Sequence, residues 1–503
     1  MIKNGTLLAL ILILQYISRR LCEDLNALAL RIIESPESKE RFAQASCFAA
    51  EGDMLACEWC KNAFSNHYPL NVADFQNSFI EGNPCLWKEL ARKFDSGEVI
   101  HIGVMGGSMT AGRRCHDAAG SSHCAWPAKL EKLFNSPNVI VHNYAVPGAD
   151  YDHYLASGDL QFIQCDLLLV DLAVNAQSYI RRIETLRSRV DEVIYDILKA
   201  HPERPLMWVT TYRAGGFEPG DRNGHCPLPE ERGDMSYSFT GQPGGYFWCW
   251  YWVTIKDHEQ LITSHYNIPV VSYRDAAWRG TRENGVMKSF DAPREDQVCF
   301  WNGWGHPSST THLLLADISF YSIHGMLNKA RELTAKGGDC EVQRNPLHAE
   351  LAIPHLCSAI GFITHMTSSK GDEFKPVDVS PHWRFREDNK GKPGWIIDLN
   401  GVPFAKNHIS FEVEIGQGRN LETTYLKSYT KIGEVLAVLK NVEGTVAGTF
   451  RIEAWEEDGH ASIPVTFQHK LHHDFQPGKY TVTYSLPEKA HYPKFKIISV
   501  SSC

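Results

Sequence analysis

Val99-Ile-His-Ile-Gly-Val-Met105 runs directly into Gly106-Gly-Ser-Met-Thr-Ala-Gly112. The first stretch is a near-continuous apolar run, the mark of a strand covered on both faces, as in a parallel sheet. The glycines around Ser108 let the chain turn sharply after that strand. The serine then projects at the carboxyl end of the sheet, where open α/β folds build their sites. Val139-Ile-Val-His-Asn143, Leu167-Leu-Leu-Val-Asp-Leu172, Leu206-Met-Trp-Val-Thr210 and Ile268-Pro-Val-Val-Ser272 read as further strands. Between the third and fourth, Ile183, Leu186, Val190, Val193 and Ile197 recur at steps of three and four, one face of an amphipathic helix. Strands alternating with helices over residues 96–335 predict a layered α/β domain on a parallel sheet.

Outward from this body the chain changes character. At the start, Lys3 precedes the apolar run Leu7 to Leu14, which ends at Gln15. That run falls short of the ~20 apolar residues of a membrane span. It predicts a secretory signal over residues 1–21, no stable membrane span in the mature chain and an extracellular destination. Asn4-Gly5-Thr6, the sole N-glycosylation sequon, lies within that signal and lends secretion no support. Residues 22–95 hold Cys22, Cys47, Cys57, Cys60 and Cys85, with Leu25, Leu28, Ile32 and Ile33 at helical spacing. They read as a Cys-rich helical region. Cys57-Glu-Trp-Cys60 fits structural disulfides better than a redox or zinc pair, because no strand pattern precedes it.

Glycines from Gly215 to Gly245 mark an irregular insertion over 214–252, ending in Tyr246-Phe-Trp-Cys-Trp-Tyr-Trp252. That aromatic run reads equally as the start of a buried element or as a wall beside a substrate. Residues 336–370 form a junction. From 371 to 503 the pattern is of short strands, among them Ile409–Ile415, Glu434–Leu439, Thr449–Trp455, Ile463–Gln468, Lys479–Tyr484 and Phe495–Val500. With turn signals such as Pro477-Gly478 between them, they predict a β-sandwich. Trp383, Trp395 and Trp455 are expected in its core rather than as exposed stacking residues.

Composition bounds the rest. The chain has 503 residues, 43% hydrophobic and 22% charged, which excludes a largely disordered protein. A net charge of −9 offers no field to hold a phosphate backbone, so nucleic acid is not an expected partner. Fourteen cysteines suit a secreted protein stapled in places. No His, Cys, Asp or Glu cluster has metal-ligand spacing, and no cofactor is expected.

Three further segments join the Ser108 turn. Asn143-Tyr-Ala-Val-Pro-Gly-Ala149 follows the second strand, and Gly148 can present a backbone N–H there. Asp171-Leu-Ala-Val-Asn175 closes the third strand and supplies an amide donor. Trp304-Gly-His-Pro-Ser308 precedes a helix-like stretch over Thr311–Tyr321. A nucleophile, two oxyanion donors and a base are what acyl transfer needs. Each alone has a plain reading: Gly148 as a turn glycine, Asn175 as a strand-end turn residue, His306 as one of 23 histidines.

Together, in this order and strand context, the segments resemble the SGNH (GDSL-type) hydrolases over roughly residues 96–330. The matching positions are Gly106, Gly107, Ser108, Thr110 and Gly112, then Asn143 to Gly148, Asp171 to Asn175, and His306-Pro307-Ser308. The β-rich tail, with Gly394-Trp395 and Tyr425 to Tyr429, also looks like extensions joined to such domains in secreted eukaryotic members. The resemblance implies a three-layer, flavodoxin-like parallel sheet followed by a C-terminal β-sandwich. It implies Ser108 as nucleophile, His306 as base, and the N–H groups of Ser108 and Gly148 with the Asn175 side chain as the oxyanion hole. The implied substrate is an acyl ester, acetyl esters and polysaccharide carriers included.

One position departs from the pattern. The family usually places an Asp three residues before the histidine, and here that residue is Gly303. A backbone carbonyl could orient His306, a displaced carboxylate such as Asp291, Glu295 or Asp296 could reach it, or activity has been lost. The expectation is a secreted serine esterase working by a Ser–His dyad or triad. The alternatives are an O-acyltransferase using the same serine and a catalytically silent surface-binding protein.

Overall fold

A computed structural model describes residues 25–40, 68–115, 121–211, 246–337 and 364–502, with short breaks inside the last three ranges. The expected signal, the cysteines Cys22, Cys47, Cys57 and Cys60, most of the 214–252 insertion and most of the 336–370 junction lie outside the described residues, as do Asp291, Glu295, Asp296 and Gly303. The helices used below are α1 (Val72–Ser78), α2 (Trp87–Ser96), α3 (Trp126–Phe134), α4 (Tyr151–Ser157), α5 (Ile183–Ala200), α6 (Tyr246–His265) and α7 (Ser309–Ala335). The chain divides into two compact units, neither contiguous in sequence. The first draws on 1–147, 164–174 and 203–343, and the second on 148–163, 175–202 and 344–503.

The first unit is built on a six-stranded sheet. Its strands are β1 (Phe79–Ile80), β2 (Ile100–Gly106), β3 (Val139–Asn143), β4 (Leu167–Asp171), β5 (Leu206–Thr210) and β6 (Val270–Ser272), in the order β3-β2-β4-β5-β6-β1. The five strands from β2 to β6 are parallel, and β1 adds an antiparallel edge. Counting only the parallel strands, the order is 2-1-3-4-5, that of flavodoxin-like sheets. Apolar runs make these strands because both their faces are covered: Leu167, Leu168, Leu169 and Val170 are all fully buried. β2 lies between β3 and β4, the point where strand order reverses and where such sheets open a crevice at their carboxyl ends.

Helices α2, α3 and α7 pack together on this unit, with Phe134 of α3 edge-on to Phe320 of α7. Helix α1 opens with a reciprocal capping box between Asn71 and Asp74. Helix α2 ends at Gly97 and α3 at Asn135, both left-handed, the conformation that closes helices at Gly or Asn. A disulfide joins Cys115 to Cys124 just ahead of α3. The aromatic run Tyr246–Trp252 proves to be the first two turns of α6. Strands β7 (Trp278–Glu283) and β8 (Val286–Ser289) form a hairpin, and β9 (Trp301–Asn302) pairs antiparallel with β10 (His306–Pro307).

The second unit is a two-sheet β-sandwich with helices. One sheet runs β13 (Trp383–Glu387), β14 (Pro393–Asp398), β21 (Lys494–Ser502), β16 (Asn420–Lys427), β19 (Ile463–Lys470), with β11 (Thr364–Thr367) also on β21. The other runs β12 (Asp378–Val379), β15 (His408–Ile415), β20 (Gly478–Ser485), β17 (Glu434–Asn441), β18 (Val446–Glu453). Phe411, Val413 and Tyr484 of one sheet share a core with Tyr425, Phe495 and Ile497 of the other. Trp383 is buried in that core, and Trp395 and Trp455 pack against it partly buried. Helix α4 packs on β16, β19 and β21, and its Ala156 belongs to the sandwich core. Arg189 of α5 ties the helices down: it pairs with Asp152 of α4 at 2.8 Å and with Glu192 at 2.8 Å, all three buried. Asp152 also accepts the backbone N–H of Thr466 on β19 at 3.1 Å.

Candidate active site

The turn after β2 is set by its neighbours. Gly106 sits in register with Asp171 on β4, and Val104 with Asn143 on β3. Beyond β3 the pairing continues, with Tyr144 N–H donating to the Val104 carbonyl and Val146 N–H to that of Gly106. The turn itself is one tight coil: Ala111 N–H donates to Gly107, Gly112 to Met109 and Arg113 to Ser108. Gly112 adopts a φ of 76°, a region open to glycine at no steric cost. The Asn143 side chain clamps the coil from outside, Nδ2 donating to the Thr110 carbonyl at 2.9 Å. Ser108 stands half-buried at the top of this coil.

His306 reaches the serine from a distant part of the chain. It begins β10, whose pairing sets His306 opposite Asn302, and it lies two residues ahead of Ser308, the N-cap of α7. Its Nε2 lies 3.0 Å from Ser108 Oγ, within the reach a general base needs. In that pair the hydroxyl donates and Nε2 accepts when the imidazole carries its proton on Nδ1.

His312, the other histidine at the start of α7, has a different job. It is fully buried, its Nδ1 accepts the backbone N–H of Trp126 at 3.2 Å, and burial pushes its pKa down to about 3. It is a neutral anchor between α7 and α3.

Of the remaining expected site residues, Gly148 and Asn175 both fall in the second unit. Gly148 is left-handed at φ 73°, and Asn175 is buried, with Nδ2 donating to the Ala149 carbonyl at 2.7 Å.

Asp171, which the sequence pattern includes in the asparagine segment without giving it a role, closes a wholly apolar strand and is 2% exposed, yet it is fully engaged. Thr110 Oγ1 donates to its Oδ2 at 2.6 Å and Thr211 Oγ1 to its Oδ1 at 2.8 Å. Burial raises its pKa to about 6 against those two hydrogen bonds. The signal was available: a carboxylate ending Leu-Leu-Leu-Val is costly to bury unless paired. Among the described residues no group of three or more His, Cys, Asp or Glu could hold a metal ion.

A 2-1-3-4-5 parallel sheet, a serine coil at its reversal point and a late histidine brought to that serine make this an SGNH-type fold. Solved structures agree at the level of fold. A two-domain esterase (CEX) active on acetylated mannans, co-crystallized with mannopentaose, is similar over 86% of this chain and 98% of its own, at 15% identity and a TM-score of 0.54. A second structure of a two-domain esterase (CEX) active on acetylated mannans covers 85% of this chain and 98% of its own, at 16% identity and a TM-score of 0.51. No protein-family model matches the chain, and no curated protein matches its sequence.

Proposed function

We propose that this protein is a secreted serine esterase that removes acyl groups, acetyl foremost, from carbohydrate. The observation that carries the reading is the 3.0 Å approach of His306 Nε2 to Ser108 Oγ. A serine hydroxyl is a weak nucleophile until a base accepts its proton, and this pair supplies one. Ser108 Oγ attacks the acyl carbon while His306 takes the proton. The tetrahedral intermediate collapses, and His306 returns the proton to the departing alcohol. Water then attacks the acyl carbon while His306 takes its proton, and His306 passes that proton to Ser108 Oγ as the acyl–oxygen bond breaks and the acid leaves. The oxyanion roles of the Ser108 and Gly148 N–H groups and the Asn175 amide belong to this proposal. The match in fold to an esterase active on acetylated mannans over most of both chains supports an acetylated polysaccharide as substrate.

The test uses the full chain with a serine-directed phosphonate and a short-chain acyl ester. Stoichiometric labelling and turnover, both abolished by Ser108→Ala, are expected. Acetate release from acetylated mannan, exceeding that from an unrelated acetyl ester, supports the substrate. Absence of both labelling and Ser108-dependent turnover would overturn the reading in favour of a silent binding protein.

A further inference from the structure

The serine coil and the histidine arrive on separate segments, and something must fix one against the other. Asn143 holds the outside of the coil. Its inner side rests on Asp171, which is directly opposite Gly106 across the β2–β4 ladder. A Cβ on Gly106 would lie 2.3 Å from Thr110 Oγ1 and 2.7 Å from the Asp171 carbonyl, so the coil folds flat against β4. Thr110 is fully buried, two residues beyond the nucleophile, and its hydroxyl is spent on the Asp171 carboxylate. The second carboxylate oxygen is held by Thr211, the residue after β5. Asp171 is thereby fixed from both sides. The Trp126 indole also approaches this carboxylate and favours its charged form, although Nε1 lies outside hydrogen-bonding geometry. The backbone N–H of that same Trp126 donates to His312 on the first turn of α7, the helix that His306 leads into.

We infer that Asp171 is a positioning residue for catalysis: through Thr110 it sets the height and direction of Ser108 in the crevice where His306 arrives. The inference rests on the esterase reading and assigns Asp171 no contact with substrate. A carboxylate bonded by two hydroxyls in a dry site is stiff, because leaving any one group unpaired costs the full desolvation penalty of that group. That stiffness is useful here, since a misplacement of ~1 Å at a reacting atom can cost about 10²-fold in rate.

The test compares Thr110→Val, Thr110→Ser and Asp171→Asn with the parent chain and with Ser108→Ala. Thr110→Val keeps the side-chain shape and deletes the hydroxyl. It is expected to lower kcat by about 10²-fold, to change KM by less than about threefold and to slow phosphonate labelling in step with kcat. Thr110→Ser restores the hydroxyl and is expected to recover kcat to within about threefold of the parent. The Thr110→Val/Asp171→Asn double variant is expected to be no slower than the worse single one, as for groups acting as a unit. Asp171→Asn also guards against a folding artefact, since it preserves shape and one acceptor. If Thr110→Val turns over the ester normally while Ser108→Ala is dead, the positioning role is wrong and the esterase reading stands. The positioning role is equally wrong if the threonine and aspartate effects multiply independently. If the parent itself shows no Ser108-dependent chemistry, both fall.

Discussion

Gly106 shows how little freedom the site has at the level of single residues. Any side chain there must push into Thr110 and into the β4 backbone at distances of 2.3 and 2.7 Å. Gly106→Ala is therefore expected to destabilise the chain by about 1–3 kcal/mol, the usual cost of overpacking a core. It is also expected to depress turnover by more than the loss of folded protein explains, because the displaced coil carries Ser108, the proposed nucleophile. Urea unfolding beside kcat per folded molecule measures both. A fall in stability with normal kcat would mean that the coil can lift without moving Ser108. The meeting of Ser108 and His306 was legible in the sequence at this scale: glycines bracketing Ser108 announce a tight turn, and His306 stands just before a long helical pattern. The bonding role of Asp171 was not, because its partners Thr110 and Thr211 are 61 and 40 residues away and only the sheet register brings them to it.

At the scale of elements, α7 carries a pH sensitivity. An ordinary histidine pKa is 6.5, and burial lowers that of His312 to about 3. Between those values the unfolded chain takes up a proton that the folded one refuses. The contribution to stability is thus full above pH 6.5 and is lost progressively as pH falls toward 3. His312→Gln keeps a side chain able to accept the Trp126 N–H but does not titrate. The expected result is a melting-temperature difference that shifts in favour of His312→Gln between about pH 7 and about pH 4.5, read by calorimetry. A difference constant with pH would show that His312 protonates within the fold. Most elements could be read from periodicity. Val139–Asn143 and Leu206–Thr210 match their predicted bounds, and the amphipathic face from Ile183 falls on α5. Strand β16 escaped because Asn420–Lys427 does not alternate: seven of its eight residues are buried, Glu422, Thr423 and Thr424 among them. It lies between β21 and β19, and Gln468 donates to the Glu422 carboxylate at 2.7 Å. The antiparallel β1 was equally hidden, being two residues long and stabilised by β6 alone.

For the whole molecule, the units do not follow the order of the chain. The sequence pattern alone implies an α/β body over 96–335 and a sandwich after 371. The second unit instead takes α4 and α5 from the middle of the chain. Ala156 sits in the sandwich core, and Asp152 bonds to β19, so α4 has partners encoded far downstream, and Arg189 ties α5 to α4. A chain truncated after residue 343 would leave α4 without the strands it packs on and Asp152 without the Thr466 N–H it accepts. Loss of burial around a charge pair removes its context, and exposed apolar faces invite association. The truncated chain is expected to be cut by protease within α4 and α5 and to aggregate, whereas the intact chain resists within those two helices. Limited proteolysis with mass spectrometry distinguishes the two. Equal resistance would show that α4 and α5 hold their structure without the sandwich strands.

That arrangement also bears on how the protein is made. A ribosome adds about 5–20 residues per second, so α4, complete at Ser157, waits roughly 15–60 s before β19, which ends at Lys470, has emerged. During that interval Ala156 and the buried face of α4 have no sheet to lie on. The second unit can therefore close only late in synthesis, once β19 and β21 have been made.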